Sequence, residues 1–155
     1  VSFVAFSVNP VDTSDASHIY IEAAVGMGET LASAREAGQP YRLRVERDSG
    51  AVTVDALASY SNSLKPGARG LAQEVIDYSR ERLTCDDEMR AALAQRIANV
   101  VMKLEAAFGN QQDIEGALVD IDEAKSVDEV RLFVVQARPQ IVQDIRQPPS
   151  AVPIH

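Results

Sequence analysis

An α+β fold, in which a largely antiparallel sheet carries one long amphipathic helix, is predicted by three observations. β-rich segments follow one another in pairs separated by turn residues, the arrangement of hairpins. Only Asp86 to Phe108 carries a sustained helical stripe. The 155 residues suffice for one domain with a real core and are too few to expect two.

The elements follow in order. "VSFVAFSVNP" and "SHIYIEAAVG" are apolar and β-rich, and the polar turn "VDTSDAS" joins them as a hairpin. "GMGETLASARE" sets Gly26 and Gly28 before good helix formers, which predicts a tight turn and one or two helical turns. In "YRLRVERDSGAVTVDAL", Tyr41, Leu43 and Val45 alternate with Arg42, Arg44 and Glu46, and "DSG" turns the chain before Val52 and Val54. "SYSNSLKPGARG" has loop chemistry, and "LAQEVIDYS" reads as a short strand.

The helix follows. Met89, Leu93, Ile97, Val100, Val101, Leu104 and Phe108 draw one stripe along it. Thr84 or Asp86 is placed to cap its first amides, early acids complement its dipole, and Gly109 and Asn110 suit the left-handed turn that ends it. Two last strands are expected at 111–119 and 130–138, before a "QPPSAVP" stretch that cannot continue inside a sheet. Residues 1–140 therefore read as the domain and 141–155 as a Pro-rich tail or linker. The start at Val1, without Met and already inside an apolar alternation, suggests a processed or excised segment.

Composition narrows the function. The net charge of −8 repels a phosphate backbone, which argues against nucleic acid as a partner. With 5% aromatic residues and no Trp, there are few platforms for stacking bases or sugars. No run reaches the roughly 18 apolar residues of a transmembrane segment, which predicts a soluble or peripheral protein. The single Cys85 has no disulfide partner and reads as a small helix-edge residue. The Walker-type glycine loop is missing, because "GMGE" lacks the following Lys-Ser/Thr pair. No Ser-His-Asp or Cys-His pattern suggests a nucleophile, and His18 reads as structural or exposed.

Chemistry concentrates in the last two strands. Asp113, Glu115 and Ala117 share one side of their strand, and Ile114, Gly116 and Leu118 share the other. By the same alternation Gln136 and Arg138 share a face with Leu132 and Val134. Antiparallel pairing would let Glu115 meet Gln136 and Arg138 on one surface. One carboxylate and one amide suit a Mg²⁺ ion that takes its remaining ligands from water and nucleotide phosphates, and Arg138 suits phosphate oxygens. A cross-strand Glu–Arg ion pair on a solvated face would account for the same spacing. The acidic stretch "DIDEAKSVDEV" reads as a solvated loop, since it lacks the glycine and terminal spacing of a calcium loop.

"LEAAFGNQQDIEGALV" followed by "LFVVQARPQ" resembles the end of the ATP-grasp domain in the pyruvate phosphate dikinase and phosphoenolpyruvate synthase family. "IYIEAAVGMGETLAS" and "VIDYSRERLT" resemble more narrowly the plastidial glucan and phosphoglucan water dikinases. The likeness extends over nearly all of Phe3 to Gln140. Gln111 stands where Pro is common and Ala137 where Thr is frequent, and the acidic 120–130 stretch is longer than the turn expected there.

The resemblance implies the C-terminal lobe of an ATP-grasp domain, with ATP and Mg²⁺ as cofactors. ATP would be split, its β-phosphate passed to a histidine in another domain and thence to a glucan. Glu115 would be a Mg-ATP ligand, Gln136 its partner in holding the metal, and Arg138 the catalytic phosphate clamp. Glu29 in "GMGE" occupies another position near the nucleotide, and Glu22 in "IEAA" is a strand-end carboxylate suited to local pairing. A first lobe and a phosphorylatable histidine domain are missing, so the expected partners are the remaining dikinase lobes or a larger assembly, with glucan reached only through other domains. The implied location is the plastid stroma, or the cytoplasm for a bacterial relative. A shortened, non-catalytic relative serving as a structural or docking subunit is the rival reading.

Overall fold

The computed structural model describes residues 1–28, 31, 37–67 and 70–141. Strands β1 (Ser2–Phe6), β2 (His18–Ala24), β3 (Tyr41–Glu46), β4 (Val52–Ala56), β7 (Gln112–Val119) and β8 (Arg131–Pro139) form one sheet in the order β4-β3-β2-β1-β7-β8. Every neighbouring pair is antiparallel. Between its halves the chain forms the separate hairpin β5 (Asn62–Gly67) and β6 (Gly70–Val75), the short helix α1 (Arg82–Cys85) and the long helix α2 (Asp87–Phe108). β1 pairs with β2 on one side and β7 on the other, so the first strand joins the early hairpins to the last one.

The alternation in the sequence decides which face is covered. Phe3 and Ala5, Ile19, Ile21 and Ala23, Tyr41, Leu43 and Val45, and Ile114 and Leu118 lie at matching parities and are all buried. α2 closes over this face with Met89, Leu93, Ile97 and Val101, as the stripe predicts. Each fully buried aliphatic or aromatic side chain contributes roughly 1.5–3 kcal/mol. Ala94 and Ala98 are also buried, whereas Val100 and Leu104 are half-buried and Phe108, in the last turn, is 60% exposed.

The ends of α2 follow local rules. Asp86 accepts a hydrogen bond from the Met89 amide at 2.9 Å, and this bond holds its carboxyl below the ordinary range. Gly109 takes φ 72° and donates its amide to the Glu105 carbonyl at 2.8 Å. Buried Arg90 donates to the carbonyls of Leu83 at 2.7 Å and Thr84 at 3.2 Å, completing the end of α1. At the far edge of the domain the Gln140 side chain imitates a strand: its amide nitrogen donates to Val8 O at 2.7 Å and its oxygen accepts from Val8 N at 3.0 Å.

Two segments differ from the sequence reading. "NSLKPG" forms β5, and Pro66 is tolerated because β5 pairs with β6 alone and so has an open edge. The acidic 120–130 stretch is no purely solvated loop, since Ile121, Ala124 and Val130 are buried. Arg82 donates to the carbonyls of Ile121 and Ala124, and Arg96 to those of Val127 and Val130. Two helix-borne guanidinium groups thus satisfy a backbone that has no sheet partner. His18 bonds Asp15 at 2.9 Å and Ser17 at 3.0 Å, a local structural role. Cys85 is exposed at the end of α1. Among the described residues no helix is long and apolar enough to cross a membrane. The helical turns expected after Gly28, Leu31 apart, and the Pro-rich tail from residue 142 onward lie outside the described residues.

Two measurements check this core. A Cβ on Gly116 would lie 2.3 Å from the Phe3 ring and 2.4 Å from the Phe133 carbonyl oxygen. Gly116→Ala is therefore expected to lower the unfolding free energy by about 1–3 kcal/mol in urea titrations. Burial pushes the Tyr41 hydroxyl up from 10.0 to about 12. Because the folded value exceeds the unfolded one, the Tyr41 contribution is complete below pH 10 and is lost as pH rises towards about 12. Tyr41→Phe should make the decline of the urea midpoint across that window shallower.

Candidate functional site

The face of the sheet turned away from α2 carries two cross-strand rows. One runs Gln136, Glu115, Val4, Glu22, Arg42; the next runs Arg138, Asp113, Phe6, Tyr20, Arg44. Val4 and Phe6 on the central strand make an apolar strip between two charged walls. Above the strip opens a cleft of about 700 Å³, lined among others by Val4, Glu22, Met27, Pro66, Glu115 and Arg138.

The turn after β2 and the β5–β6 hairpin overhang this floor. Gly26 has φ +95°, and a Cβ there would fall 2.0 Å from Ser63 Oγ and 2.6 Å from Leu64 O. Only glycine permits both that dihedral and that approach. The Met27 amide then donates to Leu64 O at 3.0 Å, which fixes the hairpin to the turn and brings Pro66 to the cleft.

The opposite wall depends on a bulge. Strict alternation along β8 would put Gln136 and Arg138 with Leu132 and Val134, as the sequence reading had it. The structure corrects that grouping. Glu115 pairs with Gln136 and Gly116 with Val134, leaving Val135 as the extra residue. The side chains beyond it change faces. Leu132 and Val134 stand opposite Leu118 and Gly116 on the helix side, while Gln136 and Arg138 stand opposite Glu115 and Asp113 on the cleft side.

Glu115, Gln136 and Arg138 therefore share one face, with a partner the sequence reading left out. Arg138 Nε donates to Asp113 Oδ2 at 2.8 Å, and Nη2 lies at the same distance. The ion pair is thus Asp113–Arg138, and its carboxylate raises the guanidinium pKa further. Asp113 has the parity of Glu115, and once the register is known it stands directly opposite Arg138; that was the signal available. The apolar linings Val4, Met27 and Pro66 had no signal of their own, because they come from three separate elements. Gln136 is exposed and is not among the residues that line the cleft, and Glu29 lies outside the described residues.

Across the strip, Glu22 Oε1 accepts from Arg42 Nε and from the Tyr20 hydroxyl, both at 3.0 Å. Burial, and then the Glu22 charge, push Tyr20 up to about 12, so it remains a donor at ordinary pH. No hydrogen bond or ion pair to the Glu115 carboxylate occurs among the described residues. That free carboxylate, half-buried in the cleft and opposite an amide, fits a hard cation. No group of three or more His, Cys, Asp or Glu among the described residues could hold a metal. The fit is to a cation shared with phosphate oxygens, rather than to a cage built of protein alone.

Comparison with known proteins agrees with the sequence resemblance. Residues 1–153 match the family described as pyruvate phosphate dikinase, AMP/ATP-binding domain. Alpha-glucan water dikinase 2 of Arabidopsis thaliana is 31% identical over an alignment covering 90% of this chain and 12% of that protein. The chloroplastic alpha-glucan water dikinases of Citrus reticulata and Solanum tuberosum are each 28% identical, over 90% of this chain and 11% of theirs. The chain thus spans about a tenth of the length of these relatives.

The bulge can be tested directly. Deleting Val135 removes the extra residue and leaves an uninterrupted ladder in which Gln136 still stands opposite Glu115 and Arg138 opposite Asp113, so the variant should keep one cooperative transition in urea titrations. Val135→Ala keeps the bulge and alters a residue that is 75% exposed, so it should stay within about 0.5 kcal/mol of the parent.

Proposed function

The chain belongs to the pyruvate phosphate dikinase AMP/ATP-binding domain family, and on that premise we propose that its open-face cleft is the Mg-ATP site of a glucan water dikinase-like phosphotransferase. The fold then serves as the C-terminal lobe of an ATP-grasp domain, which residues 1–140 make up. The observation that supports this most is the convergence of Glu115, Gln136 and Arg138 on one face across the bulge in β8.

The residues divide the work by charge. Glu115 and Gln136 would hold Mg²⁺ from two adjacent strands, and Glu29 would approach the nucleotide from the turn after β2. When bound, the ion supplies charge neutralisation on phosphate oxygens. Arg138 offers a rigid, permanently charged fork, and Asp113 fixes its orientation through Nε and Nη2 while the side chain stays 58% exposed. A phosphate arriving at the exposed edge of that fork meets a donor already aimed, so little reorganisation is left for the moment of transfer. Val4 and Phe6 exclude water from the floor, which strengthens the electrostatic contacts beside them.

In the whole protein the β-phosphate would pass to a histidine of another domain and then to a glucan, with the γ-phosphate released to water. The relatives' names support the glucan, and a plastid address accompanies that reading. The attacking imidazole and its swivelling domain would come from the rest of the parent protein.

Isothermal titration with Mg-ATP tests the site. Glu115→Ala and Arg138→Ala are each expected to weaken binding about ten-fold or more, since each removes a charged partner of the ligand. Equal, weak binding by all three proteins would remove the nucleotide site and favour the structural or docking subunit instead.

A further inference from the structure

The geometry points to Glu22 as a hydroxyl-reading carboxylate of the same cleft, taking a hydrogen bond from a vicinal diol or similar sugar hydroxyl on the ligand. The inference rests on the nucleotide reading above and adds a specificity determinant to it. Glu22 stands in the same cross-strand row as Glu115, with Val4 between them, so the two Cα positions are roughly 10 Å apart, two strand spacings. It lines the cleft on the wall opposite Arg138.

Its two oxygens have different surroundings. Oε1 is taken by Arg42 Nε and the Tyr20 hydroxyl, both at 3.0 Å, which fix the carboxylate plane. Oε2 has no hydrogen-bond partner among the described residues. A side chain that is 23% exposed, held on one oxygen and open on the other, is oriented for a donor from the cleft.

The chemistry selects the donor. Arg42 already offsets the Glu22 charge, so a second cation gains less here than at Glu115, whose carboxylate has no hydrogen bond or ion pair among the described residues. A phosphate would face the carboxylate's negative oxygens and is better served at Arg138. A hydroxyl donates to a carboxylate without bringing charge, and a vicinal pair of them matches Glu22 better than a cation or a phosphate. The wall-to-wall arrangement then reads a ligand that is anionic at one end and hydroxylated at the other, with an apolar strip under its middle. The hydroxyls could be those of a nucleotide ribose or of a glucan, and one experiment separates the two.

Binding of ATP, 2′,3′-dideoxy-ATP, inorganic triphosphate and maltotriose is measured for the chain and for Glu22→Gln, with Mg²⁺ present. The parent is expected to bind ATP about ten-fold or more tightly than the dideoxy analogue, because a site built for a hydroxyl is left unpaired without it. Glu22→Gln should erase that preference and leave triphosphate affinity unchanged. Maltotriose binding that Glu22→Gln abolishes, without ribose discrimination, would support the hydroxyl role and assign the donor to glucan. A ribose preference that survives Glu22→Gln overturns the inference, as does a parent that neither discriminates ribose nor binds maltotriose. Loss of triphosphate affinity in Glu22→Gln also overturns it, since Glu22 would then act on the phosphate end. Failure of the parent to bind triphosphate or ATP overturns the nucleotide reading itself, and this inference with it. Should Glu22→Gln fail to fold, Glu22→Asp, which withdraws the carboxylate from the cleft, is read by the same criteria.

Discussion

One displaced residue in β8 reconciles two demands that a regular strand cannot meet together. Leu132 and Val134 stand on the helix side, Gln136 and Arg138 stand on the cleft side, and all four have the same parity. A period of two forbids that combination. The extra residue, Val135, changes the phase midway, so Leu132 reaches the core before it and Gln136 and Arg138 stand on the cleft side after it. The position of Arg138 beside Asp113 depends on this slip.

The bulge is matched by a glycine on the facing strand. Gly116 lies where the bulged backbone and the Phe3 ring crowd β7, and even a methyl group would meet both. β1, which supplies Phe3 to the core, also supplies Val4 and Phe6 to the cleft floor from its other side. Core packing and site geometry are therefore coupled through one central strand, and a change in either is felt in the other.

The open face keeps its charges in pairs. Arg138 with Asp113, Arg42 with Glu22 and Arg44 with Asp55 neutralise one another across strands. Glu115 stands apart as a carboxylate without such a partner among the described residues. The β5–β6 hairpin roofs this face although a two-stranded ribbon is only marginally stable by itself. Its attachment at Gly26, Met27 and Leu64 shows why the "GMG" segment must be so permissive: the turn has to touch backbone rather than side chain.

Much of this was legible in one dimension. Alternation at Tyr41–Glu46 and the stripe from Met89 to Val101 gave the antiparallel sheet and its covering helix, because periods of 2 and 3.6 leave their mark on any chain that buries one face. Asp86 and Gly109 marked the helix ends, since caps are local interactions. The motifs around Glu115 and "VQARP" pointed to the dikinase family. Tertiary structure alone decided the rest. The phase change at Val135 depends on pairing with β7, the Asp113–Arg138 contact on cross-strand register, and the buried part of the 120–130 stretch on arginines from two helices. The roof over the cleft joins residues nearly forty positions apart, and no local pattern encodes a contact whose two halves are specified separately.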